Sequence, residues 1–514
     1  MALPPALAHL LDPAAYPHPV AAVRLIETHI SWVLLAGDYA YKIKRPVDFG
    51  FLDFSSLDKR HACCVEEIRL NQRLAPSTYL DVVPVTRSGL RGHGDVLDWA
   101  VRMRAFPAEA TLDRATRLTA AQIDAIAERI ADFHRALPPC PADCPYGSPE
   151  AVIGPALDNF RQISALLPRL GAAPDHAARL AALAAWTQAR HERLHAHFAA
   201  RKRDGFVREC HGDLHLGNIA WLSTPSGDGE PLIFDCLEFN PDLRHIDVIS
   251  ELAFLAMDLH AHDRPDLAWR LLDRYLTRTG DFAGLAAYRD YAVYRALVRT
   301  KVAALRADQG DTGARADVAR YLQLAEHLAD PGPTGLILMH GPSGSGKSWL
   351  SERLLEALGA IRLRSDVERK RLFGLEALSD SRALGDIYTP EASRRVFAHL
   401  GDLAGHLLDA GFRVIVDATF LGCAHRHTFA ALAEAHGQPW RLVSLQLPEA
   451  VLRTRVENRQ AHGGDASEAG LAVLDSQLQA ADALEGAELA HTTLVSLQEP
   501  PETTATRLRA WLSG

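Results

Sequence analysis

At Gly341-Pro-Ser-Gly-Ser-Gly-Lys-Ser348 the chain carries the pattern G-x-x-x-x-G-K-[ST], with the apolar run Leu336–Met339 just before it and the helix-forming run Trp349–Leu358 just after. Few local patterns leave a backbone so little choice. The glycines let it curl until its N–H groups surround a phosphate, and the following helix turns its positive end to the same anion. Such a loop needs a buried strand on one side and a helix on the other, so this stretch predicts an α/β region. Gly341, Ser343, Gly344, Ser345 and Gly346 would form the cradle. Lys347 would reach the β and γ phosphates of ATP, and Ser348 would ligate Mg2+.

The surroundings agree. Apolar strands at Ile361–Leu363, Val414–Val416, Leu442–Leu447 and Thr493–Leu497, separated by helical periodicity, predict a parallel sheet with ligands at the carboxyl ends of its strands. Val414-Ile-Val-Asp417 ends in a carboxylate suited to holding Mg2+ through water. Asp366 falls at the end of the second strand, and Arg369 lies three residues on. A carboxylate to accept a proton and an arginine to hold phosphate would equip the site to phosphorylate an alcohol. Equally, Asp366 reads as a helix N-cap with solvated basic neighbours. Arg455 and Arg459, four apart on a predicted helix, share a face. They either close over phosphates ahead of a lid at Ala461–Asp465 or simply face solvent.

Upstream, Ala329-Asp-Pro-Gly-Pro-Thr-Gly335 breaks any helix. It predicts a first domain over 1–329, a linker over 330–334 and the α/β domain over 335–514, in keeping with a length of 514 residues. The first 110 residues carry strand signals: a hairpin from Ser31–Leu35 and Asp38–Lys44 around Gly37, then a strand at Trp99–Phe106, with a helix at about Leu57–Leu74 between them. Helices dominate from Thr119 onward, apart from the turn-rich Cys210–Asp247. A small strand-rich lobe before a helical one predicts α+β.

Residues 335–514 resemble the P-loop branch that holds gluconate-kinase-like, zeta-toxin-like and 5′-hydroxyl polynucleotide kinases. Cys210-His-Gly-Asp-Leu-His-Leu-Gly-Asn-Ile219 resembles the catalytic loop of the aminoglycoside phosphotransferase and choline-kinase-like superfamily, which implies a bilobal kinase-like fold for the first domain. By that resemblance Asp213 is the base for the acceptor hydroxyl, Asn218 and the distal Asp235 of Leu232-Ile-Phe-Asp235 hold Mg2+, and His211 is structural. Asp247 would support the loop by hydrogen bonding. Tyr39-Ala-Tyr-Lys42 fits the strand lysine that takes the α and β phosphates. Lys44, on the same face, is the alternative, and Glu67 is the expected partner in preference to Glu66. Asp48-Phe49-Gly50 spells a kinase metal motif but lies upstream of the catalytic loop, the wrong chain order, and reads as a turn. From about Pro19 onward the chain resembles a bacterial family of fused aminoglycoside-phosphotransferase-like and AAA-type ATPase proteins.

Tyr288, Tyr291, Arg295, Arg299 and Arg306 form one helical stripe. It suits a phosphate-bearing ligand such as a nucleoside or sugar phosphate, or else a helix whose arginines lie over tyrosines and pair with carboxylates. The second reading is favoured. In either case the stripe is the reverse of an acidic surface for a polycation, so aminoglycosides are not the expected acceptors. A net charge of −9 without blocks of one sign gives no reason to expect wholesale binding to nucleic acid or membrane. No signal peptide is legible and the seven cysteines are scattered, which predicts reduced thiols and a cytoplasmic setting. The expected activity is a tandem ATP-dependent phosphotransferase acting on hydroxyls of small molecules. The alternatives are one kinase with a nucleotide-sensing partner domain, a polynucleotide 5′-hydroxyl kinase in the second domain (a nucleic-acid acceptor is open but not favoured), and an ATP-driven interaction module.

Overall fold

The computed structural model describes residues 3–50, 52–171, 174–223, 228–377, 379, 387, 389–462, 469–496 and 498–513. Two compact units emerge. The first comprises Met1–Ala125, Asp132–Pro155 and His195–Asp258; the second comprises Ile126–Ala131, Ala156–Leu194 and Leu259–Gly514.

In the first unit an antiparallel sheet of six strands, among the described residues, runs β1-β2-β3-β6-β4-β5. The strands are β1 (Val23–Glu27), β2 (Ser31–Ala36), β3 (Tyr39–Lys44), β4 (Tyr79–Thr86), β5 (Gly89–Leu90) and β6 (Val96–Arg104). The β2–β3 turn places Gly37 at φ +59°, which a Cβ would strain. Helix α1 (Leu57–Asn71) follows β3, with the Ser56 hydroxyl accepting from the Lys59 N–H at its start. Cys64 of α1 packs with Tyr79 and Val101 of the sheet, and Trp32, Leu34 and Ile43 bury the other face. β1 and β4 escape the periodicity reading, the former because its side chains are only half-buried.

Three helices follow: α2 (Ala120–Ala136), α3 (Pro149–Leu166) and α4 (Pro174–Arg203). The turn-rich segment resolves into two short antiparallel pairs: β7 (Val207–Glu209) with β10 (His245–Asp247), and β8 (Ile219–Ser223) with β9 (Gly229–Ile233). Helix α5 (Val248–Ala261) comes next; it contains the chain's most apolar run.

The second unit includes helices α6 (Pro265–Thr279), α7 (Tyr288–Asp308) and α8 (Ala314–Ala329) and a five-stranded parallel sheet. Its strands are β11 (Gly335–His340), β12 (Ala360–Arg364), β13 (Arg413–Asp417), β14 (Trp440–Leu445) and β15 (Thr492–Val495), in the order β12-β13-β11-β14-β15. Helices α9 (Lys347–Leu358), α10 (Ser365–Leu372), α11 (Pro390–Asp409), α12 (Cys423–Ala435), α13 (Glu449–His462), α14 (Leu471–Gln479), α15 (Ala487–Ala490) and α16 (Pro501–Ser513) alternate with them. All four pairings are parallel, and Ile337, Met339, Ile415 and Val443 are wholly buried, as a sheet covered on both faces requires. This order sets β13 directly beside β11, so Asp417 ends next to the glycine-rich loop. Among the described residues no helix is long and apolar enough to cross a membrane.

Candidate active sites

In the first unit, period-2 alternation points both lysines of β3 inward. Lys42 Nζ donates to Glu67 Oε1 at 2.9 Å and to Asp235 Oδ1 at 2.5 Å. Lys44 Nζ binds the other Glu67 oxygen and Glu238. The two lysines therefore divide the work: Lys42 reaches Asp235, whereas Lys44 is sealed in the core. Glu67 is the shared partner, while Glu66 turns outward to Arg69 and Arg244. Burial works against the Lys42 ammonium, yet Asp235, Glu67 and Glu238 together hold its pKa well above the usual value. Burial likewise pushes Asp235 up, and Lys42 more than offsets that, leaving the carboxyl below its ordinary range.

Asp235 sits two residues beyond β9 in a left-handed conformation, φ +63°. That geometry is unusual for a non-glycine residue, and the Tyr79 hydroxyl, accepting from the Asp235 N–H at 3.1 Å, helps hold it. The Asn218 amide donates to the Asp213 carbonyl at 2.9 Å and to its Oδ2 at 3.1 Å, so the five-residue spacing closes on itself. The Asp213 side chain is 41% exposed, accessible to an incoming hydroxyl. Buried His211 donates from Nε2 to the Phe234 carbonyl (2.8 Å) and accepts the Asp213 N–H at Nδ1 (3.3 Å), which ties the Cys210–Ile219 loop to the segment bearing Asp235. Burial lowers its pKa and keeps it neutral.

Asp247 is a correction. It takes the Arg201 guanidinium at 2.7 Å through both oxygens and accepts from the Ile249 N–H. The loop backbone is instead held by Glu251, accepting from the Gly212 N–H at 2.7 Å, and Asp258, accepting from the Leu216 N–H at 3.0 Å. Neither carboxylate is legible in the loop motif, since both lie on α5, 39 and 42 residues from the amides they hold. Asp48 is the turn residue expected: its Oδ1 accepts from the Gly50 N–H.

In the second unit Gly341, Gly344 and Gly346 all have positive φ. A Cβ at Gly341 would lie 2.8 Å from the Leu445 carbonyl, and one at Gly344 would lie 2.8 Å from the Leu452 carbonyl, so both positions exclude side chains. Lys347 donates to the Pro342 carbonyl at 3.0 Å. Burial brings its pKa down to about 8, with Asp417 and Asp366 opposing and Arg459 assisting. Ser343 donates its N–H to Gln477 at 2.8 Å, and Ser345 Oγ is buried without a hydrogen-bond partner inside the loop. Asp417 accepts from Ser351 Oγ at 3.2 Å.

Arg362 of β12 donates to the Ser348 carbonyl and to Ser351, and forms a buried two-point pair with Asp273 of α6 at 2.7 and 3.0 Å. Asp273 precedes the Asp330–Thr334 break in sequence yet supports the loop's serine. Arg369 is buried and turned to the Ile387 carbonyl at 3.0 Å. Arg455 donates to the Gly344 carbonyl at 3.4 Å, and Arg459 to the Ala469 carbonyl at 2.6 Å. Gly463–Asp465 of the expected lid lie outside the described residues.

The aromatic and guanidinium stripe on α7 is buried over its first three members and reaches the surface at Arg306. Tyr288, Tyr291 and Arg295 are buried, Arg299 lies over Tyr321 of α8, and Arg306 pairs with Asp311. It lends no support to a phosphate-bearing acceptor.

Residues 52–297 match the model of the phosphotransferase enzyme family, and residues 336–484 match an AAA domain. Uncharacterized protein Rv2004c of Mycobacterium tuberculosis (strain ATCC 25618 / H37Rv) and Uncharacterized protein Mb2027c of Mycobacterium bovis are each 32% identical over 431 residues, covering 81% of this chain and 84% of theirs. Among solved structures, a gluconokinase from Sinorhizobium meliloti 1021 is 22% identical over 35% of this chain and 93% of its own, with a TM-score of 0.27. A choline/ethanolamine kinase family protein from Mesorhizobium loti is 14% identical over 63% and 94%, with a TM-score of 0.39. At these scores neither likeness carries an argument about acceptors.

Proposed function

Because the chain belongs to the family of these mycobacterial proteins and carries a phosphotransferase enzyme domain ahead of an AAA domain, we propose that it is a tandem ATP-dependent phosphotransferase that phosphorylates hydroxyl groups of small molecules. One observation supports this most: Lys42 converges with Glu67 and Asp235 from separate elements in the first unit, and in the second Lys347 lies within the glycine-rich loop with the charges of Asp417 and Asp366 acting on it.

In the first unit Asp213 accepts the acceptor's hydroxyl proton as that oxygen bonds to the γ phosphorus of ATP; the bond to the bridging oxygen breaks, and ADP leaves. Lys42 orients the α and β phosphates, and Glu67 keeps its ammonium in place. In the second unit the loop amides and Lys347 cradle the phosphates, and Asp366 is the base. Arg369 would first have to leave the Ile387 carbonyl to touch phosphate. The oxygen-only donors Asn218 and Asp235, and Ser348 and Asp417, suit Mg2+, which when bound neutralises charge across the β and γ phosphates.

The test uses the full chain with labelled ATP and a metabolite extract, read by mass spectrometry for gained phosphate. Asp213→Asn and Asp366→Asn are each expected to delete a different product, by about 100-fold or more, while Mg-ATP binding persists. Product profiles and ATP turnover left unchanged by both variants would refute the proposal.

A further inference from the structure

Within the second unit, apart from the Gly341–Ser348 loop, lies a cavity of about 430 Å3. Arg289 of α7, Arg413 of β13 and Arg509 of α16 line it, with Trp269 and Tyr288 as aromatic walls. Each guanidinium holds backbone carbonyls, most of them at helix ends. Arg289 reaches those of Leu328, Asp330 and Gly411, Arg413 those of Leu358 and Pro333, and Arg509 that of Ala357. A guanidinium has five N–H donors, so such capping leaves donors over. Two polar groups on the same wall lack hydrogen-bond partners although buried: Arg289 Nε and the hydroxyl of Tyr288, a residue only 2% exposed.

The nearby acids do not balance the three positive charges. Glu356 binds Arg270 at 2.6 Å, and Asp330 accepts from the Gly332 N–H at 2.9 Å. His260, also on the wall, is pushed by burial and by His327 and Arg289 down to about 4, and is neutral near pH 7. Burial lowers the pKa of Arg289 and of Arg413, and neighbouring arginines add to the effect. Three arginines around one cavity outnumber the acids beside it, an excess that calls for an oxyanion, and a guanidinium fork matches phosphoryl oxygens in pairs.

We propose that this cavity binds a small phosphate-bearing metabolite, its phosphoryl group held by Arg289, Arg413 and Arg509 with the Tyr288 hydroxyl donating, and its remainder against Trp269. The site is separate from both candidate active sites, so it stands whether or not either transfers phosphate.

Isothermal calorimetry on the full chain, with the nucleotide sites saturated by a non-hydrolysable Mg-ATP analogue, tests it with inorganic phosphate, glycerol 3-phosphate and citrate. Saturable binding of both phosphates is expected, weakened about 10-fold by Arg509→Gln and by Arg413→Gln, and less by Tyr288→Phe. Arg509 is exposed on the last helix and Tyr288→Phe keeps the ring, so neither change threatens folding. Citrate binding in place of the phosphates overturns the phosphate assignment. Phosphate binding that is absent, or unchanged in Arg509→Gln and Tyr288→Phe, overturns the site and leaves the arginines as helix caps only.

Discussion

Lys42 and Lys347 are the two lysines proposed to meet phosphate, and their surroundings treat the charge in opposite ways. Lys42 sits in a closed network, where two lysines are matched by Glu67, Glu238 and Asp235. Its ammonium is stabilised before any ligand arrives. Lys347 donates to a backbone carbonyl, and its pKa falls from 10.5 to about 8. That difference corresponds to roughly 3 kcal/mol of destabilised positive charge. A phosphate would relieve it. The first site is therefore organised by its own side chains, and the second holds a charge that a ligand completes.

Single substitutions can break this contrast. The largest effect expected is that of Glu67→Gln, which removes the one carboxylate that both lysines share. It should destabilise the first unit by about 3–5 kcal/mol, read by calorimetric unfolding. Lys347→Met should act with the opposite sign, stabilising the second unit at pH 7 by about 1–3 kcal/mol while weakening Mg-ATP binding there roughly 10- to 100-fold. A destabilising Lys347→Met would erase the comparison.

A smaller effect sharpens it. Between pH about 8 and 10.5 the unfolded chain holds the Lys347 proton and the folded one releases it, so wild-type stability gains from this group as pH rises through that window. Lys347→Met should lack the gain. Because bound phosphate favours the ammonium, nucleotide binding to the second unit at pH 8 should take up about half a proton. Calorimetry in buffers of different ionisation enthalpy reads this directly. Binding in the first unit, where Lys42 is already charged, should take up none.

Much of the local geometry at both candidate sites was legible because it closes within contiguous backbone. Gly341–Ser348 curls around its own amides, and Asn218 reaches back five residues to Asp213, so spacing alone constrains geometry. The sheet was legible because strands buried on both faces read as apolar runs, as β11 and β13 do. β1, half-buried, lacked that signal. The stripe on α7 shows the limit of periodicity. It places Tyr288, Arg295 and Arg299 on one face without saying whether that face meets a ligand or α8.

The amino-acid order by itself determined that there are two kinase-like domains and which short segments build their candidate sites, because each motif's geometry closes within about ten residues. Only the tertiary structure decided which lysine reaches Asp235, that Glu251 and Asp258 hold the Cys210–Ile219 loop, and that Asp273 braces Ser348 through Arg362. The Lys42–Asp235, Glu251–Gly212, Asp258–Leu216 and Asp273–Arg362 pairs lie 39 to 193 residues apart, so local spacing gave them no signal. A buried charge must still be matched, and where its countercharge comes from depends on how the elements pack.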